Sequence, residues 1–471
     1  MADQKEFKEK ILKGAVSLTA KQFLVVILSF VSVLVTAQIL GPKNYGIATI
    51  SLSLFYFLNR LLSIGIPPYI IRRQDMKKKE IAQLQTFYIL LATIFCAFAW
   101  MLAPAFGWWT RQTEVTGALR WLLLALWLSM CSFPSEATLQ RELRFVEYGL
   151  IDGLAQAANY LLGIALALLG FSYMSLIFGA VARFTVRAIL SQVYSPVLPV
   201  WKMDWAVIKP ALNFGVKYSA SSWMLGLKEL RISLVVARFL SAEAAGIVGI
   251  SIRLVQQLSI LKMILQQMSI SIMAKLKDAP EKAKRAISKG MAYQALFNCS
   301  LCALFSVASA WIIPIMFDER WLSSAAIFPF IASGILMLVT FNFHSSALYA
   351  KGYVREVFIF NFVYVSSLWL FSAILTPTMG IWGYGIAEIL ALPAFYILHR
   401  GIAKIYGAPD YKTVFWIFLA TFPSLYGGIF LPPEMGILLF LVSLTSLFIV
   451  NKNVRLLVLD LIASSSLKLK S

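Results

Sequence analysis

A chain of 471 residues that is 60% hydrophobic and only 14% charged departs from soluble globular proteins, of which about 25% of residues are charged. Its 42 Lys and Arg against 22 Asp and Glu give a formal charge of +20. In a hydrophilic chain that surplus would point to nucleic acid, but apolar runs recur from end to end. They exclude a nucleic-acid protein, a secreted disulfide scaffold and a disordered tail, and leave an all-α polytopic membrane protein.

A helix crossing about 30 Å of hydrocarbon takes about 20 residues. The apolar runs predict fourteen spans: 12–40, 45–71, 84–106, 117–138, 148–170, 172–197, 213–240, 244–274, 292–316, 322–350, 355–376, 378–399, 414–432 and 435–450. The opening MADQKEFKEKILKG is an extended basic flank, and the apolar run behind it is too long for a cleaved signal peptide, so it is expected to lead into the first span. Pro423, Pro432 and Pro433 interrupt the last two. The connections alternate in charge. One set holds Arg72, Arg73, Lys77, Lys78 and Lys79, then Arg141 and Arg144, then Lys275, Lys277, Lys282, Lys284, Arg285 and Lys289. The other set holds only Lys43, Arg111 and Arg320. By the positive-inside rule the termini and the basic loops belong in the cytoplasm.

Residues 38–54, QILGPKNYGIATISLSL, and 238–254, RFLSAEAAGIVGISIRL, share Leu40/Leu240, Gly46/Gly246, Ile47/Ile247, Ile50/Ile250, Ser51/Ser251 and Leu54/Leu254 at one constant offset. Each copy joins an outward span to an inward one, which predicts two lobes in parallel repeat with a substrate site between them. The expected division is an N-lobe of helices 1–6 over 1–198, a cytoplasmic linker over 199–212, a C-lobe of helices 7–12 over 213–402, and helices 13–14 with a cytoplasmic tail over 403–471.

Cations recur inside the spans: Lys21, Arg60, Arg183, Arg187, Lys217, Lys228, Arg231, Arg238, Arg253 and Lys262. A central Lys or Arg costs about 2.5–3.5 kcal/mol on insertion scales, so a lipid-facing set of this size would cost roughly 25–35 kcal/mol. That is comparable with a whole domain's stability, so these side chains are expected to face a hydrated interior. At 100° per residue the four on span 7 form one stripe, and Arg183 and Arg187, four apart, share a face. The acids in the spans, Asp152, Glu229 and Glu388, are too few to neutralise them, although each is a candidate for ion coupling. A cavity with surplus positive charge suits an anion, such as a phosphate or pyrophosphate.

Other motifs carry less. Cys96, Cys131, Cys299 and Cys302 fall in apolar segments, and the Cys-x-x-Cys of NCSLC is read as helix packing. Gly380, Gly383 and Gly385 in GIWGYG are read as close helix contacts, and Trp108, Trp109, Trp201 and Trp205 as an interfacial belt. His344 and His399 are too few and too far apart for a metal site, with His344 read as a packed polar group. No cofactor is called for. The outer connections are short and their acids (Glu114, Glu243, Asp318, Glu319 and Glu434) scattered, which favours transport over enzymatic work. Two alternatives remain. A cation-coupled multidrug exporter would want an acidic cavity, and a structural partner of a glycan synthase would not need buried charge on helices of both lobes.

Several segments in order, ILGPKNYGIATISLSL at 39–54, LQRELRF at 139–145, FGVKYSASSWM at 214–224, RFLSAEAAGIVGISIRL at 238–254, IIPIMFDERW at 312–321 and ALYAKG at 347–352, resemble the Wzx-type oligosaccharide flippases. That group lies within the multidrug/oligosaccharidyl-lipid/polysaccharide superfamily, near its colanic and teichuronic acid exporter branch, and the resemblance covers roughly residues 10–400. It implies two six-helix lobes in a V shape, rocking to carry an undecaprenyl-pyrophosphate-linked repeat unit across a bacterial or archaeal cytoplasmic membrane. It also implies membrane lipids, a polysaccharide polymerase and chain-length machinery as partners. Relatives that flip the peptidoglycan precursor line their cavity with cations on helices 1, 2 and 8, and Lys21, Arg60 and Arg253 stand at matching positions. Many relatives carry an Asp on helix 7 where this chain has Ile232, with Glu229 and Arg231 nearby. Glu229 is the substitute the resemblance offers for that Asp.

Overall fold

The computed structural model describes residues 2–201, 203–259, 269–270 and 272–459, with side chains from residue 25 onward apart from that of residue 221. The described residues are helical throughout, without strands. Helix α1 runs Ala2–Leu62, α2 Ile66–Arg72, α3 Lys78–Thr110, α4 Glu114–Arg141, α5 Phe145–Leu168, α6 Met174–Tyr194 and α7 Trp205–Arg231. A π-helical turn, Ile232–Val236, and the short α8, Ala237–Phe239, lead to α9, Ala242–Leu258. Then come α10 (Pro280–Met316), α11 (Ser323–Thr340), α12 (Asn342–Ala350), α13 (Val354–Met379), α14 (Ile381–Leu390), α15 (Phe395–Tyr406), α16 (Lys412–Phe430) and α17 (Pro433–Val450).

Among the described residues, eleven helices are long and apolar enough to cross a membrane, against fourteen expected spans. The first, Val25–Leu62, carries two expected spans joined at Gly41, whose φ of 67° and ψ of 172° break the helix ahead of Pro42. A residue before proline is driven out of the helical region, and glycine alone takes this φ without strain. The charge-bearing α7 and the 17-residue α9 account for the rest; positions 260–268 lie outside the described residues. The expected span 45–71 is also interrupted. Ile64 and Gly65 take left-handed φ values of 42° and 60°, and Pro67 and Pro68 open α2 as a new helix, the position where a missing N–H costs nothing.

Two compact units divide the chain, Met1–Gly246 and Ile247–Ser471. In the first, Phe55 of α1 meets Phe184 of α6 edge-on at 5.1 Å, and Ile66, Ile70, Tyr88 and Leu122 lie in the same buried cluster. Tyr88 donates to the Ser63 carbonyl at the break between α1 and α2. Asp204 caps α7, its carboxylate accepting from the Ala206 N–H at 2.8 Å, a pairing that satisfies one of the orphan donors of a helix start. The two repeat copies meet within this unit. A Cβ on Gly46 would collide with the Ala242 carbonyl oxygen, and one on Gly246 with that of Pro42. The shared glycine is thus a steric requirement at both positions.

In the second unit α10 carries α16 and α17. Ser306 Oγ donates to the Leu425 carbonyl at 2.6 Å, Gly428 abuts the Ser306 backbone, and Gly436 abuts Val307. Gly383 lies against the Leu375 backbone and Gly385 against Ile327 and Phe330, the close packing expected of them. Gly380, expected to pack likewise, has open space around it and instead supplies the left-handed φ of 63° at the turn into α14. Cys299 and Cys302 are buried in α10. The FDERW element forms the turn between α10 and α11: Trp321 is fully buried, and the Asp318 carboxylate accepts from the Arg320 backbone at 2.8 Å and from its guanidinium at 2.6 Å. The Arg320 hydrogen bond holds the Asp318 carboxyl below the usual carboxylate range. Outward faces remain apolar, with Met101, Ile315 and Phe430 each more than three-quarters exposed, as lipid contact requires.

Candidate functional site

The first unit treats its cations in two ways. On α7 they occupy graded depths: Lys217 is exposed, Lys228 half-buried and Arg231 fully buried. Arg231 Nε donates to the Lys228 carbonyl at 3.3 Å. The π-helical turn starts one residue later and is fixed to α1, where Ser233 Oγ donates to the Ile50 carbonyl at 2.8 Å and also hydrogen-bonds Ser53. A π turn takes an extra residue, so the stripe expected along the span does not continue through it. Arg238, beyond the turn, lies over the Trp108 and Trp109 rings at 5.4 and 5.0 Å.

Arg60 lies two residues before the end of α1, beside α7. Its guanidinium reaches Glu229 at 3.5 Å, with the two side chains 34% and 44% exposed. Its carbonyl accepts from Trp223 Nε1 at 3.1 Å, and Gly226 leaves the room its Cδ occupies. A half-exposed ion pair at that distance contributes little, of the order of 0–1 kcal/mol. An anion with more oxygens can displace Glu229 at small cost.

Arg187 is held differently. Its Nε and one terminal nitrogen each meet a Glu136 oxygen at 2.6 Å, and the other terminal nitrogen meets Asp152 at 3.0 Å. Tyr148 adds a contact at 3.4 Å. Arg187 is 14% and Glu136 5% exposed. Arg183, at 4.0 Å from Asp152 and with its ring-stacked guanidinium over Phe184, joins the edge of the same network. These two cations, expected to face an open cavity, sit in a buried network of opposite charge linking α4, α5 and α6. Glu136 was not among the expected acids. Its signal was available, for it lies inside the span 117–138, just ahead of LQRELRF.

The remaining positions are dispersed. Lys21 and Lys262 lie outside the described residues, Lys21 by its side chain. Arg253 is an exposed residue on α9, in the second unit. Glu388, also in the second unit, is buried on α14, where Tyr364 donates to it at 3.4 Å. Among the described residues no group of three or more His, Cys, Asp or Glu could hold a metal ion. The fold does join two residues that the sequence keeps far apart: His344 Nε2 and His399 Nδ1 hydrogen-bond the Tyr411 hydroxyl at 2.8 and 2.9 Å.

The family model described as "Polysaccharide biosynthesis protein" matches residues 35–326. Among curated proteins, the lipopolysaccharide biosynthesis protein WzxC of Escherichia coli (strain K12) is 25% identical over 361 residues, covering 75% of this chain and 73% of the relative. The teichuronic acid biosynthesis protein TuaB of Bacillus subtilis (strain 168) is 23% identical over 416 residues, covering 83% and 80%. Among solved structures, the inward-closed lipid II flippase MurJ superposes with a TM-score of 0.68 at 13% identity, covering 92% of this chain and 99% of that one. An inward-facing MATE multidrug transporter gives 0.64 at 15% identity, covering 81% and 94%; at these identities both speak to the fold alone. With more than half its length matched, the chain belongs to the polysaccharide biosynthesis protein family.

Proposed function

We propose that the protein carries an undecaprenyl-pyrophosphate-linked oligosaccharide repeat unit from the inner to the outer leaflet of a cytoplasmic membrane by alternating access. The product would feed surface polysaccharide synthesis, with both termini cytoplasmic and a polymerase with its chain-length machinery downstream. Family membership supports the class of cargo. The observation that carries the headgroup assignment is Arg60, half exposed and, among the described residues, ion-paired at 3.5 Å with Glu229. A pyrophosphate offers an Arg several charge-assisted acceptors where one exposed carboxylate offers a weak one.

In this reading Arg60 and Lys228 take the phosphates, with Lys217 further along α7 and Arg231 beneath them; Lys21 and Arg253 are further candidates. Arg183 and Arg187 stiffen the helices behind them. Asp152, Glu229 and Glu388 are the carboxylates proposed for ion coupling, Glu388 being the most buried of the three.

Initial rates of translocation of a labelled undecaprenyl-pyrophosphate glycan in proteoliposomes test the assignment. Losing a hydrogen bond to a charged group costs about 1.5–3 kcal/mol, so R60Q and K228Q are each expected to weaken apparent substrate affinity by about 10- to 100-fold. E229Q removes the competing carboxylate and is expected to strengthen it. Unchanged transport in both R60Q and K228Q would remove the headgroup from this site.

A further inference from the structure

Arg120 of α4 is a further cation inside a span, and neither the cavity reading nor the basic loops account for it. It lies within the apolar run 117–138, six residues or about 9 Å of helix from the Glu114 end of α4. Its guanidinium lies over the Trp100 ring of α3, 5.3 Å from the centroid. The two share the seam between these helices, where Cys96 Sγ donates to the Leu123 carbonyl at 3.4 Å and Trp127 Nε1 to Thr93 Oγ1 at 3.0 Å. Stacking on a ring fixes the plane of a guanidinium and uses none of its N–H donors. The Arg120 Nε is buried without a hydrogen-bond partner, and among the described residues no carboxylate pairs with this side chain.

The surface around the pair is apolar and open. Phe98 and Met101 of α3 and Trp121 and Leu124 of α4 are exposed, and Trp100 itself is half exposed. Trp108 and Trp109 are exposed near the end of the same α3. Indole rings collect at the boundary between hydrocarbon and headgroups, so these four tryptophans put this end of α3 and α4 at that boundary. An Arg rooted just inside the hydrocarbon extends its head to the headgroup level. Arg238 makes the comparison. It stacks over Trp108 and Trp109 in the same way, but it also donates to the Trp109 carbonyl at 3.4 Å. Arg120 has the ring and no such acceptor.

We propose that Arg120 and Trp100 form a binding site for the phosphodiester of a membrane phospholipid, with its acyl chains on the exposed apolar faces of α3 and α4. A charge on a lipid-facing surface has to be met from the lipid side. The anion that membrane lipids carry at this depth is the phosphate. Two of its oxygens match the planar fork of N–H groups on a guanidinium, which the Trp100 ring orients and leaves free. Water at the same place would fill hydrogen bonds without balancing the charge. Phe98 and Leu124, further from the α3–α4 turn than Trp100 and Arg120, lie where the chains run. With the basic loops in the cytoplasm, that lipid sits in the outer leaflet.

Photolabelling tests the site in full-length protein held in a maltoside detergent, which brings no phosphate. One probe is phosphatidylglycerol with a diazirine near the top of an acyl chain. The other is a glucosyl diacylglycerol with the same chains and the same diazirine. Labelled residues are mapped by peptide mass spectrometry. Phosphatidylglycerol is expected to label residues 94–124, and the glucosyl lipid to label them weakly. R120Q is expected to cut the phosphatidylglycerol label there about 10-fold, the weight of one hydrogen bond to a charged group. Its labelling elsewhere in the chain, and all labelling by the glucosyl lipid, are expected to stay unchanged. R120K, which keeps the charge without the fork, and W100L are expected to fall between, and they carry the test if R120Q does not fold. Equal labelling of this segment by the two lipids in the wild type means an apolar groove without a phosphate site and overturns the proposal. So does phosphatidylglycerol labelling that is unchanged in R120Q, or in both R120K and W100L. No arm measures transport, so the site stands or falls apart from the flippase reading.

Discussion

Arg187 and Glu136 show how much depends on a partner that no local pattern announces. Their bidentate contact at 2.6 Å is nearly sealed from solvent, so removing Arg187 leaves the Glu136 carboxylate buried without this partner, at a cost of about 3–5 kcal/mol. Removing Glu136 leaves Arg187 with Asp152 and Tyr148 in place of its bidentate partner. E136Q or R187M alone is expected to lower the thermal unfolding midpoint in detergent strongly. The double replacement E136L/R187M is expected to recover most of the loss, because apolar side chains of similar size often replace a buried pair without penalty. Arg60 and Glu229, half exposed at 3.5 Å, should behave oppositely. R60Q is expected to change the unfolding free energy by no more than about 0.5 kcal/mol, leaving the midpoint close to that of wild type, while weakening substrate affinity. That contrast separates a cation that holds the fold from one kept for an anion.

Helix contacts in the first unit are set by glycines that admit no side chain. Gly46 and Gly246 pack on backbone across the repeat, and Gly65 and Gly215 do so where α1 gives way to α2, with Gly215 Cα 2.9 Å from where a Gly65 Cβ would stand. G46A, G215A and G246A are each expected to force the helices apart, at about 1–3 kcal/mol of overpacking. G117A and G153A, at positions with no atom within 4 Å of the added Cβ, are expected to be neutral or stabilising by up to about 1 kcal/mol. Thermal unfolding of the five variants side by side checks both groups. The π-helical turn at Ile232–Val236 is the other departure from simple helical counting. A 100° wheel carries Arg238 into the stripe of Lys217, Lys228 and Arg231, and the turn removes it.

For the whole molecule, the charge surplus makes a prediction about sidedness. Single cysteines at Lys43 and Arg320, both exposed, are expected to react with an impermeant maleimide added outside intact cells, after Cys96 and Cys131 are replaced. Cysteines at Lys78 and Arg285, also exposed, are expected to react only once the membrane is opened. Labelling of the Lys78 and Arg285 positions in intact cells, with those of Lys43 and Arg320 reacting only once the membrane is opened, would reverse the orientation proposed from the basic loops.

What the sequence by itself determined is what depends on local order along the chain. Apolar runs of about 20 residues define membrane helices because the bilayer judges each segment separately. The Gly41–Pro42 kink is written at its own position, because it is a demand of its own backbone, and the repeat is legible as the paired Gly46 and Gly246, although the backbone each of them abuts is distant in sequence. What only the tertiary structure decided is which helix faces meet. Arg187 finds Glu136 51 residues away, Arg60 finds Glu229 across 169, and Tyr411 gathers His344 from 67. In a medium that offers a charge or a polar nitrogen no other partner, those meetings separate the cations that serve structure from the candidates for cargo.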